Sequence, residues 1–220
     1  QTGMLMEAVL AEADRFLEGL ETAPAGRVLP DNTVASFLSG NGLGAQKTLE
    51  LFKERYGAWV SGSAGPRYYG LVTGGVTPAA LMGDWLASVY DQNTVGSDES
   101  IAPRIEGETI GLLRQLFGLP DEYGGSFVTG ATMSNFVGLA LGRQWAGRQI
   151  GIDCAAQGVW GLEPIKVFSG APHSSIFKAL SMLGMGRASV TTVSCLADRE
   201  AVDLTALEAL LVRQAGRPCI

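Results

Sequence analysis

Apolar residues at Leu5, Val9, Phe16, Leu17 and Leu20 recur at helical spacing, which predicts an amphipathic helix over residues 4–20. Pro24 and Pro30 bracket a loop, and Asp31 is placed to cap a short helix through Leu38. Residues 45–56 read as a further helix closed by Gly57. The stretch Ser61 to Gly75 is glycine-rich, with Arg67, Tyr68 and Tyr69 together. Thr77 then precedes Pro78, a cap followed by a proline suited to the first helical position, so a helix is expected to run to about Gln92. Asn93 to Ser100 is polar loop, and a helix from about Pro103 to Phe117 stops at Gly118 and Pro120.

The pattern changes after Gly125. Short apolar runs at Ser126–Thr129, Ile165–Phe168 and Val190–Val193 read as strands. They alternate with helices expected at Ala131–Trp145, Ser174–Leu183 and Asp203–Gln214. Thr205 and Glu208 have capping-box spacing, and Pro218-Cys219-Ile220 reads as the opening of one more strand. The alternation implies an α/β fold, a mostly parallel sheet flanked by helices, preceded by an all-helical amino-terminal segment. Residues 1–75 are taken as that segment and 76–220 as the first part of a larger α/β domain, expected to continue past Ile220.

Composition narrows the function. The 220 residues are 46% apolar and 17% charged, enough for a sizeable core and too apolar for disorder. Sixteen Lys and Arg stand against 22 Asp and Glu, a net charge of -6 that argues against a nucleic-acid partner. No apolar run approaches the roughly 18 residues of a membrane span, and the first helix has no basic stretch of the signal-peptide kind. Cys154, Cys195 and Cys219 are odd in number and far apart, which suits a reducing, cytoplasmic compartment. His173 is the sole histidine, so histidine-rich metal sites are excluded by count. Asp98, Glu99, Glu106 and Glu108 read as a solvated acidic face, so no metal is expected.

Two turns carry candidate chemistry. In Phe127-Val128-Thr129-Gly130-Ala131-Thr132-Met133-Ser134-Asn135, Gly130 permits a sharp turn into a helix whose apolar stripe is Met133, Phe136, Val137, Ala140 and Leu141. The start of that helix, with the Thr132 and Ser134 hydroxyls, suits a phosphate monoester; an ordinary capped turn has the same pattern. Ser169-Gly170-Ala171-Pro172-His173-Ser174-Ser175 again joins a strand to a helix. Carboxyl ends of parallel strands share one edge, so His173 and the Gly130 turn are expected to face one crevice. The alternative is a solvent-facing histidine that only caps its helix. Gly40-Asn41-Gly42-Leu43-Gly44 has no preceding strand and a misplaced third glycine, so it is no dinucleotide loop. There is no G-x-S-x-G elbow.

Four segments occur in register: Pro66 to Gly75; Pro78-Ala79-Ala80-Leu81 with Asp84-Trp85-Leu86-Ala87; Gly125 to Asn135; and Pro172-His173-Ser174-Ser175. Together they resemble the group II pyridoxal-phosphate-dependent decarboxylases, which include aromatic-amino-acid, glutamate and histidine decarboxylases, over roughly residues 30 to 220. The resemblance implies a fold-type-I transferase-like α/β fold and decarboxylation of an L-amino acid to an amine and CO2. It also implies pyridoxal 5'-phosphate as cofactor and a cytoplasmic homodimer. Gly130, Ala131 and Thr132 match the phosphate-binding turn. His173 matches the catalytic histidine that stacks on the cofactor ring, and Val72 and Thr73 match a stretch lining the substrate pocket. The family's Schiff-base lysine follows a histidine in a D-x-H-K type motif. None of Lys47, Lys53, Lys166 and Lys178 lies in that context. Another fold-type-I enzyme, a lyase or aminotransferase, would use the same scaffold, and a non-catalytic fragment is the reading the lysine pattern supports.

Overall fold

The structure is a computed structural model that describes residues 2–28, 40–93 and 100–220. The chain divides into two compact units, residues 1–95 and 96–220. The helix expected from Asp31 and most of the polar loop before Ser100 lie outside the described residues.

In the first unit, α1 spans Thr2–Glu18, α2 Ala45–Tyr56 and α3 Pro78–Tyr90. Thr77 caps α3 as expected: its side chain accepts the Ala80 N–H at 3.2 Å, with Pro78 at the first turn. Gly57 does not close α2 in the left-handed region. Its φ of -55° is helical, and the chain tightens into a 3-10 turn over Gly57–Trp59. The loop that follows is tied to the segment after α1: Gly62 N–H donates to Pro24 O at 2.9 Å, and Arg67 donates to Ala23 O at 2.6 Å. Glu12 on α1 pairs with Arg15 on its own helix and with Lys53 on α2, the latter at 2.9 Å.

The second unit contains α4 (Ala102–Leu116), α5 (Ala131–Gln149), α6 (Cys154–Gln157), β1 (Val167–Ser169), α7 (Ser174–Met182), β2 (Val190–Thr192) and α8 (Leu204–Arg213). β1 and β2 are parallel, in the register Val167–Val190, Phe168–Thr191 and Ser169–Thr192. Ile220 donates to Lys166 O at 2.9 Å and accepts from Phe168 N–H at 2.8 Å, so the expected last strand begins to pair with β1. Backbone groups alternate sides along a strand. Lys166 and Phe168 therefore face Ile220 while Ser169 faces Val193, and β1 has a neighbour on both edges.

Three local expectations are corrected. Ser126–Thr129 forms no strand. The Phe127 N–H goes to a Glu106 carboxylate oxygen at 3.2 Å and Gly130 N–H turns back to Val128 O at 2.8 Å, so these groups are not available for a ladder. Thr205 is not the cap of α8; Asp203 is, accepting the N–H groups of Thr205 and Ala206 at 2.9 and 3.3 Å. With Asp203 as the cap the helix already begins at Leu204, so the N–H groups that a Thr205 cap would serve lie inside the helix, where Leu207 N–H donates to Asp203 O at 3.0 Å. The inward face of α5 is set by Phe136, Leu139, Ala140 and Ala146, whereas Met133 and Leu141 are exposed.

The core lies where α5 and α7 cover the sheet. Leu139, Val167, Ala179, Leu180 and Leu183 are buried together, with Phe136, Ile176, Val190 and Ile220 around them. Leu180 is fully buried, and removing such a side chain from water stabilises the fold by about 1.5–3 kcal/mol. Ala179 beside it is small enough for close helix approach.

Candidate functional site

The start of α5 is shaped by Gly130. Its φ of +94° with ψ 170° is a conformation in which a β-carbon is strained, and it turns the chain abruptly into the helix. The Gly130 carbonyl accepts from Met133 and Ser134, each at 3.1 Å. Among the described residues no acceptor answers the N–H groups of Ala131 and Thr132. These free donors sit at the positive end of a 19-residue helix, beside the exposed Thr132 and Ser134 hydroxyls. The arrangement suits an anion.

The start of α7 is built differently. Gly170 leaves β1 where a β-carbon would fall 2.7 Å from Val202 and 3.0 Å from Cys195 Sγ, so only glycine fits without a shift. His173 is the cap residue, and it caps through its ring: Nδ1 accepts the Ser175 N–H at 3.2 Å. Ser175 is buried, while His173 is exposed. Ser175 Oγ lies 2.8 Å from Nδ1 and accepts from the Asn135 amide at 2.8 Å. Asn135 is on the second turn of α5, so two helix starts are joined by a continuous line of hydrogen bonds.

The Gly130 turn and His173 are thereby brought together in the second unit, through contact between α5 and α7 and without a strand at 126–129. The capping role of His173 is real; it uses Nδ1, and among the described residues no hydrogen bond engages Nε2 of this exposed residue. Val72 and Thr73 lie in the first unit. Val72 is wholly exposed, and Thr73 Oγ1 donates to Ser63 O at 2.9 Å. Of the acidic run, Glu106 is spent on Phe127 and Glu108 pairs with Arg104 at 3.2 Å, while Asp98 and Glu99 lie outside the described residues. Lys178 is exposed on α7. Sequence reasoning gave no role to Asn135 or Ser175. Both stood in the quoted segments, but nothing in the spacing of residues 40 apart announces a hydrogen bond.

The fold is the α/β fold of pyridoxal-phosphate-dependent decarboxylases over about half their length. TDC from Oryza sativa, solved with PLP and tryptamine, is similar at 20% identity with a TM-score of 0.81. The glutamate decarboxylase domain of diaminobutyrate-pyruvate transaminase and L-2,4-diaminobutyrate decarboxylase from Vibrio parahaemolyticus is similar at 19% with a TM-score of 0.84. The 4-hydroxyphenylacetaldehyde synthase of Rhodiola rosea is similar at 16% with a TM-score of 0.78. Each likeness covers 100% of this chain and 49% of the other. No family model matches the chain. No helix among the described residues is long and apolar enough to cross a membrane.

Proposed function

We propose that this chain supplies part of a pyridoxal 5'-phosphate-dependent amino-acid decarboxylase, a carboxy-lyase that converts an L-amino acid to an amine and CO2. The observation that carries the proposal is the joining of two helix starts, one with unanswered N–H donors at Ala131 and Thr132 and one capped by the exposed imidazole of His173. Such a pair fits a flat ring bearing a phosphate. Ala131 and Thr132 hold the dianion through N–H and hydroxyl groups at the positive end of α5, and Gly130 lets it approach. His173 covers the ring with its own flat face and helps to orient the amino acid. When bound, the pyridoxal group supplies the sink for the electron pair left behind as CO2 departs. By the sequence resemblance, Val72 and Thr73 are the residues proposed to meet the amino-acid substrate. The sequence resemblance and the decarboxylases among the structural neighbours both support this reading.

The whole enzyme acts as a homodimer in the cytoplasm. The groove between α1 and α3, lined by Met6, Leu10, Leu81, Met82 and Trp85, is an apolar surface suited to cover by a second copy. Three unpaired cysteines suit a reducing compartment.

The test is CO2 release from a panel of L-amino acids by the whole protein with pyridoxal 5'-phosphate. Release from at least one amino acid is expected. His173→Ala is expected to lower turnover about a hundredfold and to weaken the cofactor, whereas His173→Phe lowers turnover and keeps much of the cofactor affinity. Wild-type turnover in both variants would reduce His173 to a helix cap.

A further inference from the structure

The hydrogen bonds around Ser175 fix which nitrogen of His173 carries the proton. The Ser175 backbone N–H points at Nδ1 from 3.2 Å, so Nδ1 is an acceptor. Ser175 Oγ, 2.8 Å from the same nitrogen, receives the Asn135 amide proton and therefore has its own proton to give to Nδ1. Donation runs one way, from Asn135 through Ser175 to His173. Ser175 is 2% exposed, so a missing partner there is not replaced by bulk water. In the neutral ring the proton then resides on Nε2. The exposed His173 thus presents an N–H donor outward, while its acceptor nitrogen is spent on the cap.

We propose that Asn135 and Ser175 are positioning residues that hold His173 in the Nε2–H form, so that its outward edge donates a hydrogen bond to an acceptor oxygen of the bound amino acid. The amino acid rests on the function proposed above; the tautomer does not, and it is measured without turnover. One residue comes from α5 and the other from α7, so the device registers the imidazole against the helix whose start carries Ala131 and Thr132.

The test uses the whole protein labelled with 15N-histidine, with His173 assigned by the signals lost in His173→Gln. Long-range 1H–15N spectra are expected to show Nδ1 unprotonated and Nε2 protonated. Ser175→Ala removes the hydroxyl donor and is expected to lower the ratio of Nε2–H to Nδ1–H forms about three- to tenfold, the size of one hydrogen bond. Asn135→Leu, neutral and of similar size, is expected to shift it in the same direction by a smaller factor. Ser175→Thr keeps the hydroxyl and restores the wild-type ratio. In turnover, Ser175→Ala lowers kcat/KM by a similar factor while the cofactor dissociation constant stays unchanged. A wild-type proton on Nδ1, or a ratio unmoved in both Ser175→Ala and Asn135→Leu, overturns the proposal. The expected spectra in a protein that releases CO2 from no amino acid would support the positioning role and overturn both the amino-acid acceptor and the proposed function.

Discussion

The two units bury their apolar residues to very different degrees. All nine buried apolar side chains among the described residues lie between Leu139 and Val193, in the second unit. Helices α1, α2 and α3 of the first unit bury none, and Met4, Leu10, Phe52, Met82 and Val89 are exposed there. The contacts seen within the first unit are directional ones, such as the Glu12–Lys53 pair and the hydrogen bonds that anchor the loop after Gly57. His173 and the start of α5 are thus set by a close-fitting core, whereas Val72 and Thr73 stand on an exposed loop held by a few hydrogen bonds. Close packing and exposed apolar surface fall on different stretches of the chain.

Truncating one apolar residue in each unit breaks or sharpens this contrast most strongly. Leu180→Ala is expected to cost about 2–5 kcal/mol, because α5, α7 and β1 close around that side chain. Val28→Ala, at a position 90% exposed in the first unit, is expected to cost under about 0.5 kcal/mol. Urea unfolding of the two variants decides it, and similar losses would dissolve the distinction.

A smaller effect is expected at α8. Asp203→Ala should cost about 1 kcal/mol, since it strips the acceptor from two N–H groups at the helix start. Thr205→Ala should cost less, because Thr205 contributes its backbone and not its hydroxyl to the cap. Thermal unfolding of the pair ranks them; the reverse order would return the cap to Thr205.

The smallest effect concerns the first unit. Hydrogen bonds from Arg15 and then Lys53 hold the Glu12 carboxyl down to about 2 from an ordinary 4.5. A carboxyl depressed in the folded state stabilises above the unfolded value and loses that contribution as pH falls from about 4.5 toward 2. Arg15 is 63% exposed and solvent screens the pair, so Glu12→Gln is expected to cost under about 1 kcal/mol at neutral pH. The difference from wild type should fade toward pH 2 in a pH series of denaturant unfolding. A difference that persists there would assign Glu12 a role other than its charge.

Local signals in the sequence were legible where a single segment determines them. Thr77 before Pro78 marks the start of α3 because cap and proline act within one turn. The parallel strands at Val167 and Val190 follow from short apolar runs between helices. The run at Ser126–Thr129 failed for the converse reason: a strand exists only with a partner, and the Phe127 N–H found Glu106 instead. The turn at Gly130 was readable from the residues themselves, since glycine after an apolar run and before a helix implies a special backbone conformation. The line from Asn135 through Ser175 to His173 was not, because it depends on how α5 lies against α7.

The measurement that bears most directly on the proposed site compares pyridoxal 5'-phosphate with pyridoxal on the whole protein and its Thr132→Val variant. A charge-assisted hydrogen bond at the start of α5 is worth about 1.5–3 kcal/mol. Thr132→Val is therefore expected to weaken pyridoxal 5'-phosphate binding about ten- to a hundredfold and to leave pyridoxal binding unchanged. Equal affinity of wild type and variant for the phosphorylated form would remove the start of α5 from the cofactor site and contradict the account.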